Sequence, residues 1–448
     1  MKRLFMLVAL LSVLSVGCTE DMFDDLKGFI GVENDDVNVP TNQIWYTTNN
    51  DELLSPNDVY AFGANILSNV YNVEKQCWII TFDGVVTTIG ERAFYNCSAL
   101  KSVTIPKSVT TIGERVFYNC SSLTSVTIPY GVTTIGERAF YNCGALKSVT
   151  IPKRVTTIGT DAFFGCTGEL VVNCNIPSDS FLGSAFTSVI IGDSVTSIGD
   201  SAFYGCSALK SVTIPQSVTS IGDSAFSGCS ALKSVTIPQS VTTIGDGVFY
   251  NCSSLTSVTI PDGVTTIGDW AFCECSSITS VTIGNSVTTI GEYAFYNCSA
   301  LKSVTIPQSV TVIGDSTFFN CSALKSVTIP QSVTTIGNEA FYNCGKLTAV
   351  TIPDGVTTIG EYAFSLCDNL LGVSIPRSVV EIGSGAFSYC GQLSTVYCKA
   401  IIPPAVGDIV LDGNASDRNI YVPMESVEAY KSAEGWSEYA DAIVGYNF

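Results

Sequence analysis

The sequence of 448 residues has no histidine and about half as many basic as acidic residues. The absence of histidine excludes Ser-His-Asp and Cys-His catalysis and the HExxH metal motif. Lysine and arginine together number 21 against 40 aspartates and glutamates, which gives a formal net charge of −19. This balance argues against a nucleic-acid partner, because nucleic acids are bound by a basic face. What remains is a chain with 46% hydrophobic residues, enough for a continuous core.

Long apolar runs are also absent, with one exception at the N-terminus. A basic start, Met1–Arg3, is followed by a run from Leu4 to Val16 that is apolar apart from two serines. The run is too short to span a bilayer, but it is typical of a signal-peptide core. It ends at Ser15-Val16-Gly17-Cys18, which resembles a bacterial lipobox, although Ser15 stands where leucine is usual. The alternative is a plain secretory signal that ends near a cysteine.

Acidic residues follow directly and resemble the surface-export signals of Bacteroidetes lipoproteins. We therefore expect a signal peptide at 1–17 and an acidic tether at 18–40, with Cys18 as the lipidated first mature residue. The mature protein would then be anchored in the outer membrane by its lipid and exposed on the cell surface. The lipid is its only expected contact with the membrane.

A 23-residue repeat dominates the rest of the chain. Isoleucines recur at this interval from Ile89 to Ile382, with one longer interval between Ile158 and Ile198. The phenylalanine of an Ala-Phe pair and a cysteine three residues later follow the same count. A period of 23 lies in the leucine-rich-repeat range, in which each unit buries its apolar side chains only against its neighbours.

Each repeat predicts a strand, a second extended piece and a tight turn. The segment LKSVTIP at 100–106 alternates apolar and polar residues as a half-buried strand does, and its proline ends the strand. Val109 and Ile112 then return to the core. Gly113 recurs in every unit, which predicts either a positive φ or a backbone approach too close for a Cβ.

The remainder of the repeat predicts a bend. The Ala-Phe pair predicts a single helical or 3₁₀ turn. The residue before each cysteine is mostly asparagine or glycine, as at Asn96 and Gly165, and these residues tolerate the left-handed conformation.

The motifs L-x-x-V-x-I-P, V-T-x-I-G, A-F and N/G-C together resemble the BspA-like, or Treponema pallidum type, leucine-rich repeats. The resemblance covers residues 77–400. It implies a curved, β-rich repeat solenoid with short helical or 3₁₀ turns, about 15 strands of 23-residue period, and the VTI strands along its concave face. Members are typically bacterial or protist surface proteins, and some are adhesins.

The period is lost in three places. At 167–192 a strand near 170–176 and another near 186–192 are expected, and the turn half of one repeat is missing between them, which predicts a shortened turn. The alternative places Phe186 in the Ala-Phe position. Residues 41–76 predict an N-terminal cap. Residues 401–448 predict a C-terminal cap in which 426–439 forms an amphipathic helix that closes the core.

Two repeated features have both a structural and a functional interpretation. The cysteines are interpreted as buried structural thiols rather than disulfides. Stacking would hold the Cβ atoms of equivalent cysteines about 4.8 Å apart, which is slightly too far for a disulfide. The acidic residue after the glycine, as in Glu91 and Asp200, is interpreted as an N-cap of the Ala-Phe turn rather than as a calcium ligand. We expect no cofactor, no metal and no catalytic residue.

Two surfaces are candidate binding sites. The outward side of the strands carries hydroxyl groups and lysines, and an extended face of this kind is where repeat proteins bind. Its candidate residues are Lys101, Ser102, Thr104, Lys147, Thr150, Lys210, Thr213, Lys233, Thr236, Lys302, Thr305, Lys325 and Thr328. An aromatic file after the Ala-Phe pair either covers the bend or, if exposed, stacks on sugars. It consists of Tyr95, Tyr118, Tyr141, Tyr204, Tyr250, Tyr296 and Tyr342.

These features predict a non-enzymatic surface protein. The leading hypothesis is an adhesin for a host matrix or cell-surface protein, or for a protein of a neighbouring cell. The alternatives are capture of a glycan in a nutrient-uptake system and a structural spacer without a ligand.

Overall fold

The computed structural model describes residues 39–56 and 60–448. The predicted signal peptide, Cys18 and nearly all of the predicted tether lie outside these residues. Residues from Thr41 to Phe448 form one compact unit. No helix in the described part of the chain is long and apolar enough to cross a bilayer.

The compact unit is a β-solenoid of about 16 turns with a period of about 23 residues. Successive turns contribute strands to a first layer, and from Leu100 onward paired strands are parallel and in register, as in Ser102↔Ser125 and Val103↔Val126. The turn at 232–237 contributes only an isolated bridge, between Ser211 and Ser234. Valine and isoleucine point inward while serine and threonine point outward, as predicted. The strands of this layer are Gln43–Thr48, Ile66–Asn72, Cys77–Phe82, Leu100–Thr104, Ser125–Thr127, Ser148–Ile151, Thr167–Val172, Ala185–Ile191, Ser211–Thr213, Ser257–Ile260, Ser280–Ile283, Ser303–Thr305, Ser326–Thr328, Val350–Thr351, Gly372–Ile375, Thr395–Cys398, Asn419–Pro423 and Ile443–Tyr446.

A second layer of two-residue strands contains the repeated isoleucine, whose side chain is buried. The glycine that follows is required by close approach: a Cβ on Gly136 would lie 2.5 Å from the carbonyl carbon of Gly113. The alternative of a positive φ at this position is wrong. The strands of this layer are Thr88–Ile89, Thr111–Ile112, Thr134–Ile135, Thr157–Ile158, Ser197–Ile198, Ser220–Ile221, Thr243–Ile244, Thr266–Ile267, Thr289–Ile290, Val312–Ile313, Thr335–Ile336, Thr358–Ile359, Glu381–Ile382 and Ala405–Val406.

The Ala-Phe segment is a run of tight turns, so the prediction of a helical or 3₁₀ turn is wrong. The residue before the cysteine is left-handed as predicted, with φ 58° at Asn96. A second left-handed position, four residues earlier, was not predicted; Arg92 has φ 57° there. The sequence does indicate a left-handed backbone there, because glycine occupies the equivalent positions 247 and 385. Between these two positions every second N–H group donates a hydrogen bond to a carbonyl oxygen of the next turn. Phe94 N–H, for example, donates to the Val116 carbonyl, and the equivalent N···O distances along the array are 2.7–3.0 Å.

Phenylalanine and cysteine fill the core beneath each turn. The rings of successive phenylalanines, from Phe94 to Phe387, have centroids 5.1–5.7 Å apart. Every cysteine of the described residues is buried and none forms a disulfide, which confirms the structural interpretation. The thiols also donate hydrogen bonds: Cys120 Sγ lies 3.2 Å from the carbonyl oxygen of Phe94 in the preceding turn.

The irregular stretch contains a shortened turn, as expected. Strand Ala185–Ile191 pairs with Thr167–Val172 on one side and Ser211–Thr213 on the other, which confirms the interpretation of 186–192 as a strand. Phe181 occupies the Ala-Phe position, since its ring lies 5.6 Å from that of Phe163 and 5.2 Å from that of Phe203. The shortened turn therefore keeps an Ala-Phe position, which was expected to be missing, and the alternative that placed Phe186 there is wrong.

The N-terminal segment enters the strand layer. Strand Gln43–Thr48 lies between Cys77–Phe82 and Leu100–Thr104 and is antiparallel to both. The strand layer therefore begins with antiparallel pairs, which the repeat does not predict. Ile66–Asn72 pairs with Cys77–Phe82 and forms the outer edge of this sheet.

The C-terminal segment extends the layer by two strands, Asn419–Pro423 and Ile443–Tyr446. Between them the predicted continuous helix is wrong. The chain forms an α-helix at Val427–Ser432 and 3₁₀ helices at Met424–Ser426 and Trp436–Ala442. Gly435, with φ 76°, separates the last two helices.

The helical segment nevertheless packs on the end of the core. Tyr430 and Trp436 are buried. Their polar atoms donate to backbone carbonyls, Tyr430 Oη to Ala400 at 2.8 Å and Trp436 Nε1 to Pro404 at 2.9 Å.

Candidate functional site

The outward side of the first layer, here called the strand face, presents most of the candidate residues to solvent. Lys210, Lys233, Lys302 and Lys325 are exposed, as are the threonines three residues after each of them. The rows are held in register by strand pairing and lie about 4.8 Å apart. The result is a flat array of hydroxyl groups with ammonium groups along one border. Lys101 and Lys147 are exposed as well.

The N-terminal end of the strand face is partly covered. Ser102 and Thr104 are half-buried because strand Gln43–Thr48 lies beside them. Ser102 Oγ is 2.6 Å from Thr47 Oγ1, so this hydroxyl already has a partner within the protein. The open part of the array therefore begins with the next strand, at Ser125.

The C-terminal end of the strand face carries an aromatic cluster that was not predicted from the sequence. Tyr397 stands in the register position of Ser374 and stacks on Tyr421 with ring centroids 5.1 Å apart. Tyr446 and Phe448 pack edge-on against Tyr397 and are themselves exposed. The sequence indicates this cluster only through Tyr397, a tyrosine at a position where regular repeats have threonine.

The aromatic file is stacked over much of its length. Tyr95, Tyr118, Tyr141 and Phe164 form one stack with centroids 4.8–5.0 Å apart. Tyr296, Phe319 and Tyr342 form another at 4.6–4.7 Å. In these stacks the faces of neighbouring rings contact each other.

Two tyrosines of the file stand outside the stacks. Tyr204 is 51% exposed and Tyr250 is 38% exposed. The positions beside Tyr250 in the array hold Ser227 and Cys273, whose side chains are small. The file is thus more open between 204 and 250 than on either side.

The acidic residue after the glycine does not cap its own turn, so that prediction is wrong. Asp223 Oδ1 instead accepts a hydrogen bond from the backbone N–H of Asp246, its equivalent in the next turn, at 2.9 Å. Asp246 and Asp269 repeat the contact at 2.9 and 2.8 Å with Asp269 and Glu292. These carboxylates link successive turns. Within the described residues no group of three or more acidic or thiol side chains is arranged to hold a metal ion.

At the N-terminal end of this acidic row, arginines form ion pairs with the carboxylates and neutralise part of their charge. Arg115 pairs with Glu114 and Glu137. Arg138 pairs with Glu137 at 2.7 Å and with Asp161 at 3.0 Å. The hydrogen bonds that Arg138 donates to Asp161 raise the pKa of Arg138 above its usual value.

The buried thiols are poor candidates for chemistry. Burial raises the pKa of Cys206 to about 11 and that of Cys252 to about 12. A thiol with such a pKa is protonated at neutral pH and is neither a nucleophile nor a metal ligand. The described surface is that of an extended repeat scaffold.

Comparison with known proteins supports this description. The BspA type leucine-rich repeat region matches residues 41–169, 174–302 and 288–403 in six copies. No curated protein shows significant similarity to the chain.

Solved structures of similar proteins come from several bacteria. A leucine-rich repeat protein from Bacteroides ovatus is 27% identical and superposes with a TM-score of 0.56, over 85% of this chain and 90% of that one. The T. pallidum leucine-rich repeat protein is 30% identical over 38% of this chain and 84% of its own, with a TM-score of 0.35. A leucine-rich cell surface protein from Faecalibacterium prausnitzii is 26% identical over 88% and 94%, with a TM-score of 0.38.

The matched residues include the repeats whose strands, turns and core positions are described above. They extend over more than half of the sequence. The chain therefore belongs to the BspA-type leucine-rich repeat family.

Proposed function

We propose that the protein is a non-enzymatic adhesin that binds a host or neighbouring-cell protein through the strand face. The observation that supports this most directly is the open array of lysines and hydroxyl groups, which ends in the Tyr397 cluster. Large exposed aromatic patches are typical of interaction sites, and tyrosines often dominate the energy of a protein interface. BspA-type proteins are often found on cell surfaces, and the N-terminal sequence pattern supports lipid anchoring at Cys18.

Electrostatics favours an acidic partner surface. The lysines of the strand face lie on a molecule whose net charge is −19, so they form a local basic border. Charged borders of this kind raise association rates and make binding sensitive to salt. Adhesion through this face should therefore weaken as ionic strength rises.

The test begins with a panel of matrix proteins and glycans exposed to the full chain. A protein that binds is then measured against a triple variant, Lys210→Thr, Lys233→Thr and Lys302→Thr. Threonine occupies the equivalent position in other repeats, as at Thr256 and Thr279, so these changes preserve the fold. We expect binding to weaken about tenfold or more.

A second triple variant serves as the control for net charge. Lys107, Lys153 and Arg377 follow the strand-ending proline, where other repeats have glutamine, as at Gln216. Replacing these three residues by glutamine removes the same charge away from the strand face. Equal weakening by both variants would contradict the proposal, because it would show a response to net charge alone.

Glycan binding is the second candidate function, and the exposed Tyr204 and Tyr250 are the observation in its favour. A glycan that binds and is lost on Tyr250→Ala would replace the adhesin proposal. If neither proteins nor glycans bind, a structural spacer is the better account.

A further inference from the structure

The turn at 268–275 differs from its neighbours at one exposed position. The residue before the Ala-Phe pair, here called the outer-turn position, has a left-handed backbone in every regular repeat. Most of its occupants are small or charged, but one is tryptophan. The occupants are Arg92, Arg115, Arg138, Asp161, Ser201, Ser224, Gly247, Trp270, Tyr293, Ser316, Glu339, Tyr362 and Gly385.

Trp270 stacks on the next turn with one face only. Its ring lies 4.1 Å from that of Tyr293 with an interplanar angle of 4°, and 6.4 Å from that of Tyr296. Despite these contacts the residue is 41% exposed. The stack therefore covers the face that looks toward residue 293.

The other face of the indole ring is turned toward Gly247, which has no side chain to stack on it. A side chain at the outer-turn position leans toward the following turn, as the ring of Tyr362 leans over Gly385. A Cβ built on Gly247 would meet only Ser224 Oγ at 3.2 Å and Tyr250 Cβ at 3.8 Å. No atom of Trp270 lies within 4 Å of it. Glycine at 247 thus leaves the side-chain position beside the exposed Trp270 vacant.

The N-terminal turns show what occupies this surface elsewhere. There the outer-turn residue is arginine. The guanidinium groups of Arg115 and Arg138 pair with carboxylates of their own and the next turn, and that of Arg92 pairs with Glu91 of its own turn. The guanidinium of Arg92 also lies 6.0 Å from the ring centre of Tyr95. A cation between carboxylates and an aromatic ring is the arrangement that this surface accepts within the chain.

Around Trp270 the carboxylates remain but the cation is absent. Asp246, Asp269 and Glu292 are exposed. Glu274, which accepts a hydrogen bond from Asn297 at 2.8 Å, lies beside Tyr250 and Tyr296. The nine regular turn segments from 199–206 to 383–390 contain no lysine or arginine. This part of the turn surface is therefore negative and aromatic without an internal counter-charge.

We propose that the surface formed by Trp270, Tyr293 and Tyr250, with the neighbouring carboxylates, binds an arginine or lysine side chain from a basic segment of a partner protein. The cation occupies the vacant position over the indole, where the negative ring face and the carboxylates both attract it. The partner supplies the charge that Arg92, Arg115 and Arg138 supply in the first turns. This surface lies on the turns, so the inference does not depend on binding through the strand face.

The experiment uses the full chain and two labelled peptides, four repeats of Gly-Ser-Arg and the same peptide with citrulline in place of arginine. Citrulline keeps the size of arginine and removes its charge. Fluorescence anisotropy at physiological ionic strength gives the two affinities. We expect the arginine peptide to bind about threefold to thirtyfold more tightly than the citrulline peptide to the wild type, and to change the tryptophan fluorescence.

The variant Trp270→Ser separates the aromatic contribution from general attraction to an acidic protein. It keeps every carboxylate, and serine occupies the same position at 201, 224 and 316, so the fold is preserved. We expect it to lose most of the preference for arginine and the fluorescence change. Unchanged affinity for the arginine peptide in this variant would overturn the proposal, as would equal binding of both peptides to the wild type.

A second pair of variants keeps Trp270 in place. Gly247→Arg puts a guanidinium at the vacant position, as in the first turns, and should exclude the peptide. Ser201→Arg adds the same charge at the same backbone position two turns earlier and should reduce binding only slightly. Equal effects of the two variants would overturn the proposal.

Two further results would also overturn it. If the peptides do not bind but an oligosaccharide does, and Trp270→Ser abolishes that binding, the ligand is a sugar. If the wild type self-associates and Trp270→Ser prevents this, the occupant is a second copy of the chain.

Discussion

At the scale of single residues, the repeated cysteine combines packing with a hydrogen bond. Cys252 is fully buried, and its Sγ lies 3.3 Å from the carbonyl oxygen of Phe226 in the preceding turn. The same contact recurs along the array, for example from Cys229 to Phe203 at 3.4 Å. In the irregular stretch Ser184 takes the place of cysteine, and its hydroxyl lies 3.2 Å from Cys206 Sγ. A small side chain that can donate is therefore suited to this position.

The contribution of this hydrogen bond can be measured by comparing Cys252→Ala with Cys252→Ser. Alanine removes the donor and some buried volume, so we expect it to lower the free energy of unfolding by about 1–3 kcal/mol. Serine is similar in size to cysteine and keeps a donor toward Phe226, so we expect a smaller loss. Urea unfolding under reducing conditions gives both values. A loss for serine as large as that for alanine would show that the thiol contributes by packing alone.

At the scale of the repeating element, close approach between turns decides where a side chain is tolerated. A Cβ on Gly159 would lie 2.3 Å from the backbone nitrogen of Glu137, and Gly136 is placed similarly. Real Cβ atoms do not approach backbone this closely, so the second-layer strands would have to separate. The glycine is thus what allows the two-residue strands to pair at every turn.

We therefore expect Gly136→Ala to lower the free energy of unfolding by about 2 kcal/mol or more. Gly144 provides a matched control in the same repeat. A Cβ on Gly144 would meet only the carbonyl oxygen of Gly165, at 3.7 Å, and the equivalent residues are serines at 98 and 121. Gly144→Ala should change the stability by less than about 0.5 kcal/mol. Similar values for the two variants in urea unfolding would refute the close-approach argument.

The regular part of each repeat could be predicted from the sequence, and the turns and the N-terminal insertion could not. The strands and core positions were predictable because a period of 23 and an alternation of two fix which residues face inward. The tight turns were not, since a left-handed residue such as Arg92 carries no signal in its own side chain. The antiparallel insertion of Gln43–Thr48 depends on contacts that have no counterpart in the repeat.

The candidate surfaces were predictable to a similar degree. The strand face followed from the alternation of Ser102 and Thr104 with buried neighbours. The Tyr397 cluster and Trp270 were not predicted, because each occurs once and the repeat period carries no information about a residue that does not recur. Departures from a repeat identify positions that the repeating geometry does not require.

At the scale of the whole molecule, the side chains that could change charge do so far from neutral pH. No side chain changes charge near pH 7 by virtue of an ordinary pKa, since the chain has no histidine. The core, in contrast, contains a column of protonated thiols. Burial raises the pKa of Cys97 and Cys174 to about 11 and that of Cys252 to about 12.

These pKa values predict how stability depends on pH. An unfolded cysteine loses its proton near pH 9, whereas the folded chain keeps the buried thiols protonated to about pH 11–12. Over this interval the unfolded state binds fewer protons than the folded state, so the free energy of unfolding falls as pH rises. Below pH 9 both states are protonated and the thiols contribute no pH dependence.

We therefore expect the urea midpoint, measured under reducing conditions, to stay constant from pH 6.5 to 8 and to fall steeply above pH 9. The fall should correspond to the release of several protons on unfolding, because many thiols are buried together. Cys252→Ala has one titrating thiol fewer and should reduce the slope by at most one proton. A midpoint that stays constant up to pH 10.5 would show that the thiols ionise within the folded solenoid. A fall between pH 6.5 and 8 would mean that groups other than the thiols control its stability.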